Sequence, residues 1–399
     1  MNETIYMPVG EVCSSISDTY REKKNMVTLI NTSDVLEGRV LNHERVPNSN
    51  LKGQFKKTFQ RDDILYSEIR PQNRRFAYVD FSPIDYIAST KLMVIRAKKD
   101  VVSPKYLYYF LKNSSTVAEL QLLAETRSGT FPQITFSEVA NLTIPVPPLA
   151  VQEVIVQTMQ CLEDKTTCNE QINDNLQRQL RTIFKAEFTD NSELEKMTQI
   201  PLSELCHVVT KGTTPTTLGK PFVESGIIFI KAESILADHS LDKSKFAFID
   251  EETNALLKRS VIHAGDIVFT IAGTLGRFAL IDDNALPANT NQAVAIIRAD
   301  AEKVLPEYIY TCFIGEWHTD YYAKRVQQAV QANLSLTTIK SLPIPVLDKA
   351  KMDEYLRLIL PLIKAIKGNE AQNEKLAALR DALLPKLMSG EIDVSAVQL

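Results

Sequence analysis

The feature that most narrows what this chain can fold into is a seven-residue seam that occurs twice. Ile155, Leu162, Asn169, Leu176 and Ile183 stand at every seventh position, and Tyr355, Leu362, Asn369, Leu376 and Leu383 stand 200 residues further on, position for position. An apolar residue every seventh place between charged flanks draws one apolar edge along an α-helix, the pattern of a coiled coil. Each seam has Asn at its middle, where a polar side chain fixes register at some expense of stability. The stretches 148–188 and 348–387 therefore predict helices roughly 50–60 Å long, at 1.5 Å per residue. Neither can leave such an edge in water, and the available partner is its own duplicate. With a globular stretch between them, the helices are expected to pair antiparallel and to bring Asn169 and Asn369 together. Pro361 and Gly368 predict a kink or a late start in the second helix.

The repeat extends in front of each helix. DILYSEI at 63–69 returns as DIVFTIA at 266–272, and Arg75-Phe76-Ala77 as Arg277-Phe278-Ala279. Pro104-Lys105-Tyr106-Leu107 returns as Pro306-Glu307-Tyr308-Ile309, and NLTIPVP at 141–147 as SLPIPVL at 341–347. A period this long duplicates a domain and does not build a solenoid. Strands are expected near 26–30, 64–69, 76–80 and 88–96, then near 227–231, 266–271, 278–281 and 293–298. Helices are expected from Pro104 to Asn113 and on to Glu125, and near 306–314 and 316–330. The fold class is α+β: two similar globular domains, 1–147 and 191–347, joined by two long antiparallel coiled-coil helices at 148–190 and 348–399, with a pseudo-twofold inside one chain.

Most catalytic classes find no support. There is no GxxxxGK[ST] phosphate loop, no GxGxxG after a strand, and no NPPY-like tetrapeptide of an adenine methyltransferase. The five histidines show no metal spacing, and the five scattered cysteines form no CxxC pair. No apolar run nears the roughly 20 residues of a membrane span, and MNETIYMPVGEVC does not read as a signal peptide. A cytoplasmic protein is expected. The net charge of −4 rules out a uniformly basic coat but allows a local basic face, and Lys52, Lys56, Lys57, Arg61, Arg70, Arg74 and Arg75 crowd one stretch.

The repeated units, the lead-ins LTIPVPPLAVQE and SLPIPVLDKAK, and the terminal LRDALLPKLMSGEIDV together resemble the specificity subunit of a type I DNA restriction-modification system. The resemblance spans essentially the whole chain, with LLPKLMSGEI its strongest motif. The second helix departs from the pattern at Pro361 and at Asp348-Lys349, where a PP-L-x-x-Q-E form is typical. The resemblance implies a noncatalytic reader of double-stranded DNA whose two target-recognition domains each read half of a bipartite, asymmetric site. It also implies two copies of an adenine methyltransferase subunit as partners, with an ATP-dependent restriction subunit as a further one. No cofactor is expected in this chain. S-adenosylmethionine, and ATP with Mg for restriction, would serve the partner subunits. The other readings are a duplicated coiled-coil scaffold that binds protein only, and a self-contained nuclease or methyltransferase.

Candidate DNA contacts follow from side-chain chemistry, since Arg and Lys suit guanine and phosphate while Asn and Gln suit adenine. In the first domain they are Lys56, Lys57 and Arg61, the connection Arg70, Gln72, Asn73, Arg74 and Arg75, and the run Arg127, Ser128, Gly129 and Thr130. In the second they are the loop Lys211, Thr213, Thr214, Thr216 and Lys220, the turn Gly273, Thr274 and Arg277, the cluster Asn289, Asn291 and Gln292, and Gln328, Gln331 and Asn333.

Overall fold

The computed structural model describes residues 4–49, 53–126, 132–189, 197–326 and 333–394. The chain divides into two compact units, Met1–Lys165 with Lys375–Leu399, and Thr166–Glu374. The long helices are not a unit of their own, because each contributes one part to either unit.

Apart from a short hairpin of Val35–Leu36 with Arg39–Val40, the strands of the first unit are β1 (Ile5–Pro8), β2 (Cys13–Ile16), β3 (Met26–Ile30), β4 (Val46–Pro47), β5 (Phe55–Lys57), β6 (Ile64–Ser67), β7 (Phe76–Tyr78), β8 (Tyr86–Ser89), β9 (Leu92–Ala97) and β10 (Thr143–Val146). One sheet is antiparallel in the order β2-β9-β6-β7. A second runs β4-β3-β8-β5, with β3 and β8 parallel. The strand expected over 88–96 is thus two strands in two sheets, parted by a turn at Thr90–Lys91. The turn contains neither Gly nor Pro, so nothing local announces it. Lys57 holds it instead, its Nζ donating to the carbonyls of Thr90 (3.1 Å) and Leu92 (2.8 Å).

Helices α1 (Pro104–Lys112) and α2 (Ser114–Glu125) pack on the first sheet. Pro104 occupies the first helical position, where a missing N–H does no harm. Three tethers tie the unit. Arg96 grips the buried Asp63 carboxylate with two bonds of 2.7 and 2.8 Å. The Tyr106 hydroxyl donates to Pro145 O at 2.8 Å. The fully buried Gln152 amide accepts from Ser103 N and donates to Val101 O and Pro147 O. Gln152 is the Gln of the PPLAVQE lead-in, so that motif pins the start of the long helix to the domain before it.

The second unit repeats this plan with β11 (Gln199–Pro201), β12 (Cys206–Lys211), β13 (Ile227–Ile230), β14 (Ala247–Ile249), β15 (Ile267–Thr270), β16 (Phe278–Leu280), β17 (Ala288–Thr290), β18 (Val294–Ala299) and β19 (Pro343–Pro345). Its main sheet, β12-β18-β15-β16, has the order of β2-β9-β6-β7, and β13 pairs parallel with β17 as β3 does with β8. The tethers recur too. Arg298 grips buried Asp266 with two bonds of 2.7 Å, and the Tyr308 hydroxyl donates to Pro345 O at 2.6 Å. Gln152 has no such counterpart, because Met352 stands at its place.

Helix α3 (Leu149–Phe188) is 40 residues long, about 60 Å at 1.5 Å per residue. Helices α4 (Pro306–Ile314) and α5 (Thr319–Val326) belong to the second unit. Helix α6 (Lys349–Ser389) is capped by Asp348, whose carboxylate accepts from Lys351 N at 3.0 Å. It is one helix through Pro361 and Gly368, so of the expected kink or late start the late start does not occur. A helix-interior proline costs about 3 kcal/mol, and burial of Ile359, Ile363 and Ile366 on the opposite side outweighs it, at roughly 1.5–3 kcal/mol per side chain.

In the first unit α3 buries Ile155, Val156 and Met159 in one cluster with Leu384, Leu387 and Met388 of α6. In the second, Leu180, Phe184 and Phe188 of α3 share a cluster with Tyr355, Ile359 and Ile363. Numbers rise along one helix as they fall along the other, so the pair is antiparallel. Of the ten seam positions, Ile155, Asn169 and Tyr355 are buried, whereas Leu162, Leu176, Ile183, Leu362, Asn369, Leu376 and Leu383 are half-buried. The buried sets Gln177, Leu180, Phe184, Phe188 and Tyr355, Ile359, Ile363, Ile366 each advance eleven positions in about three turns. A strict heptad stays on one face only when helices supercoil left-handedly, and here burial follows the straighter period. Asn169 and Asn369 do not bond each other. Asn169 Nδ2 donates to Gln372 and Asn373, and Asn369 Nδ2 to Asn173, all at 2.8 Å, so each partner lies about one turn further along.

The two seats differ chemically. In the first unit Lys112 of α1 forms an ion pair with Glu163 of α3, which also accepts from the Tyr109 hydroxyl at 2.9 Å. The equivalent positions in the second unit are Ile314 and Ile363, both buried in one apolar cluster. That unit also encloses His239, stacked on Phe278 at 4.0 Å, and His318, edge-on to Phe269, Phe278 and Phe313. Neither Nδ1 has a partner among the described residues.

Two outcomes are expected. Replacing Gln152 with Leu strands one N–H and two carbonyls, and lowers the stability of the first unit by about 2–4 kcal/mol in chemical denaturation. For the histidines, burial pushes both down to about 4. A histidine neutral in the fold takes up its proton on unfolding, so their contribution is complete above about pH 6.5 and is lost as pH falls towards 4, by roughly 3 kcal/mol each. Thermal melts between pH 7 and 4 should show that loss, and the H239F/H318F double variant should flatten it.

Candidate nucleic-acid interface

The strand register gathers most of the candidate residues at one end of the main sheet in each unit. In the first unit β6 leaves the sheet at Ser67, and the connection to β7 carries Arg70 to Arg75. Arg70 and Arg74 are both left-handed, at φ 46° and 51°, and enclose a single 3-10 turn. Gln72 N donates to Gln121 of α2 at 3.2 Å, which fixes the turn to that helix. Arg70, Gln72 and Asn73 are exposed on it. Arg74 and Arg75 are engaged within the fold. Arg74 donates to Ser114 Oγ at 2.9 Å, and Arg75 to the carbonyls of Ser33 (3.0 Å) and Val35 (3.4 Å).

Lys56 is exposed on β5 beside the half-buried Lys57. Burial pushes the Lys57 ammonium below the ordinary lysine range, while Glu68 holds it up and Lys91 pushes it further down. Lys57 is therefore a clamp on the Thr90–Lys91 turn. Arg61 precedes β6 and Arg70 follows it, so a strand of roughly 13 Å separates them, and Arg61 does not join the group. Three residues not singled out as contacts do join it. Lys91 Nζ lies 3.3 Å from Glu68 Oε2 and 3.4 Å from Gln133 Oε1. Nothing local in the run 88–96 marks Lys91, and only the fold brings it to Glu68 and Gln133. Arg127, Ser128, Gly129 and Thr130, with Gln328 and Gln331, lie outside the described residues.

In the second unit the same end of the sheet holds Lys211 at the close of β12, Asn291 and Gln292 just before β18, and the Gly273–Arg277 turn after β15. Gly212 N donates to Asn291 O at 3.1 Å, and Thr214 donates to Gln292 Oε1 from both its N–H (3.1 Å) and its hydroxyl. Thr213 is half-buried beside them. Gly273 and Gly276 hold φ of 78° and 79°, the left-handed region that favours glycine. The Thr274 carbonyl accepts the Thr270 hydroxyl. Arg277 donates to Ile235 O at 3.2 Å, repeating Arg75 on Val35. Asn333 is exposed at this end, since Leu334 N bonds Ile271 O at 2.9 Å.

Asn289 drops out of the set. It is fully buried, and its amide donates to Asn254 Oδ1 and Leu257 O. Thr216 is exposed on a neighbouring 3-10 turn, and Lys220 is paired with Glu252 at 2.7 Å. Among the described residues no group of three or more His, Cys, Asp or Glu side chains is placed to hold a metal, and no helix is long and apolar enough to cross a membrane.

Two stretches, residues 6–178 and 195–376, match the family of type I restriction modification DNA specificity domains. The chain belongs to this family. Each match takes in one globular domain and most of the long helix behind it. Among curated relatives, the specificity subunit of the type I restriction enzyme HindI from Haemophilus influenzae is 28% identical, over 92% of this chain and 94% of that one. The EcoBI specificity subunit of Escherichia coli is 21% identical, over 94% and 82%. The solved S subunit of a type I restriction-modification system from M. genitalium shares the fold, with a TM-score of 0.51 at 14% identity, over 98% and 97%. As a specificity subunit the chain is a noncatalytic member of its system.

One substitution tests the built loop of the second domain. A Cβ on Gly212 would run into the Thr290 carbonyl. Gly212→Ala should displace residues 211–214 and speed their amide hydrogen exchange, leaving the first unit's exchange unchanged.

Proposed function

We propose that this specificity subunit reads a bipartite, asymmetric duplex sequence, one half with domain 1–147 and the other with domain 191–347. The observation that carries this reading is the pairing of equal scaffolds with unequal edges. The same strand order, the same Arg–Asp grip and the same Tyr-to-Pro bond recur in both units. At the matching sheet end one unit presents Arg70, Gln72, Lys91 and Glu68, and the other Lys211, Thr214, Asn291 and Gln292. Two readers built alike but lettered differently call for two unlike half-sites.

Base-edge contacts from these side chains would supply the discrimination, about 1–3 kcal/mol for each well-made pair. Lysines and arginines on phosphate would supply affinity without sequence information. The chain would direct two copies of an adenine methyltransferase subunit, which use S-adenosylmethionine, and a restriction subunit driven by ATP with Mg, in the cytoplasm of a prokaryote. The long helices, whose mutual register is set by asparagine, are the surfaces offered to the methyltransferase.

Binding to duplex DNA is the test. Affinity should fall steeply with salt, by about a thousandfold between 50 and 200 mM if some six phosphates are neutralised. Binding only to protein partners, with no salt-sensitive duplex complex, would leave a coiled-coil scaffold in its place.

A further inference from the structure

The two sheet ends differ in kind as well as in sequence. The end of the first unit is ionic. Lys91 and Glu68 form a 3.3 Å ion pair, and the side-chain amide oxygen of Gln133, Oε1, lies 3.4 Å from the same ammonium. The pair is built rather than incidental. Glu68 is held on both sides by its backbone, its N–H donating to Lys91 O (3.0 Å) and its carbonyl accepting from Ile134 N (2.9 Å). Lys91 is presented by the turn whose flanking carbonyls Lys57 clamps. The side chains of Glu68 and Lys91 are 19% and 49% exposed, so both remain accessible from a fixed base. The repeat places Ile271 and Ala293 at these two positions in the second unit, where no such pair can form.

A cation and an anion fixed side by side match one base pair in particular. In the major groove, guanine presents two acceptors, O6 and N7, and its cytosine presents the N4 amino donor beside them. An ammonium suits the first and a carboxylate the second. An A·T pair places the adenine N6 donor between acceptors and has a thymine methyl group at its rim, which a Lys–Glu pair does not complement. Resting on the DNA-reading function proposed above, we infer that Lys91 and Glu68 together read one G·C pair in the half-site of the first domain. Gln133 and Lys57 are positioning residues for that pair. The neutral Thr214–Gln292 group gives the second domain no equivalent.

The test is methylome mapping in cells that contain this subunit with its methylation partner, comparing wild type with Lys91→Met and Glu68→Ala. The wild-type motif should be split, with a G·C pair in one half. In both variants the preference for G·C at one position of that half should fall by about tenfold or more. The remaining positions of that half, and the whole of the other half, should stay as they are, which also shows that the variant subunit is folded. A motif unchanged by both variants would overturn the assignment, as would a change at an A·T position. Loss of the entire half with both variants would reduce the pair to a structural role and overturn it equally. A wild-type subunit that yields no split methylated motif would instead overturn the DNA-reading function itself.

Discussion

Mutual burial of the two long helices is the interaction on which everything else depends. A 40-residue helix with an apolar face is unstable in water on its own, and each helix covers the other's face. Six side chains from the two helices in each unit lie in one cluster with each other and with the domain core, each burial contributing roughly 1.5–3 kcal/mol. The polar centre, Asn169 and Asn173 against Asn369, Gln372 and Asn373, contributes selection more than strength. In the present register Asn169 and Asn369 make three side-chain amide bonds across the pair, and a slip would give these up.

The globular domains answer a different constraint. Each must keep a constant frame while its sheet end varies. The frame is held by bonds far from that end: arginine on a buried aspartate, tyrosine on a proline carbonyl, and prolines opening α1 and α4. Proline carbonyls are apt acceptors here because LTIPVP and LPIPV are extended segments whose backbone is only partly used by ladders. With the frame secured in this way, the turns after β6 and β15 are free to differ in both backbone and side chains, arginines closing one and glycines the other.

Periodic features were legible in the sequence and tertiary acceptors were not. The long helices, the duplicated strands around residues 64 and 267, and the Ser103-Pro104 helix start follow from spacing and local chemistry. The Thr90–Lys91 turn did not, because it sits in a run of strand-forming residues and is held by a lysine more than thirty positions away. Arg75 and Arg277 look like phosphate ligands in a charged or glycine-rich turn, yet their acceptors are carbonyls about forty residues upstream. Asn289 reads as loop surface in ANTNQ until the fold closes over it. Seam positions lie within the buried face and at its margin, since a seven-residue count drifts around a straight helix by about 20° per repeat.

The seats of the two domains on the helices carry a lasting mark of divergence. Where the first domain meets its helix with Lys112 on Glu163, the second has Ile314 and Ile363. A lysine set down among isoleucines, or a glutamate beneath one, would be a buried charge without a counter-ion, a defect of several kcal/mol. The two readers are thus not interchangeable parts. A second domain set on the first footing would leave Glu163 without its lysine, so in this chain each domain and the stretch of helix beneath it form one cassette.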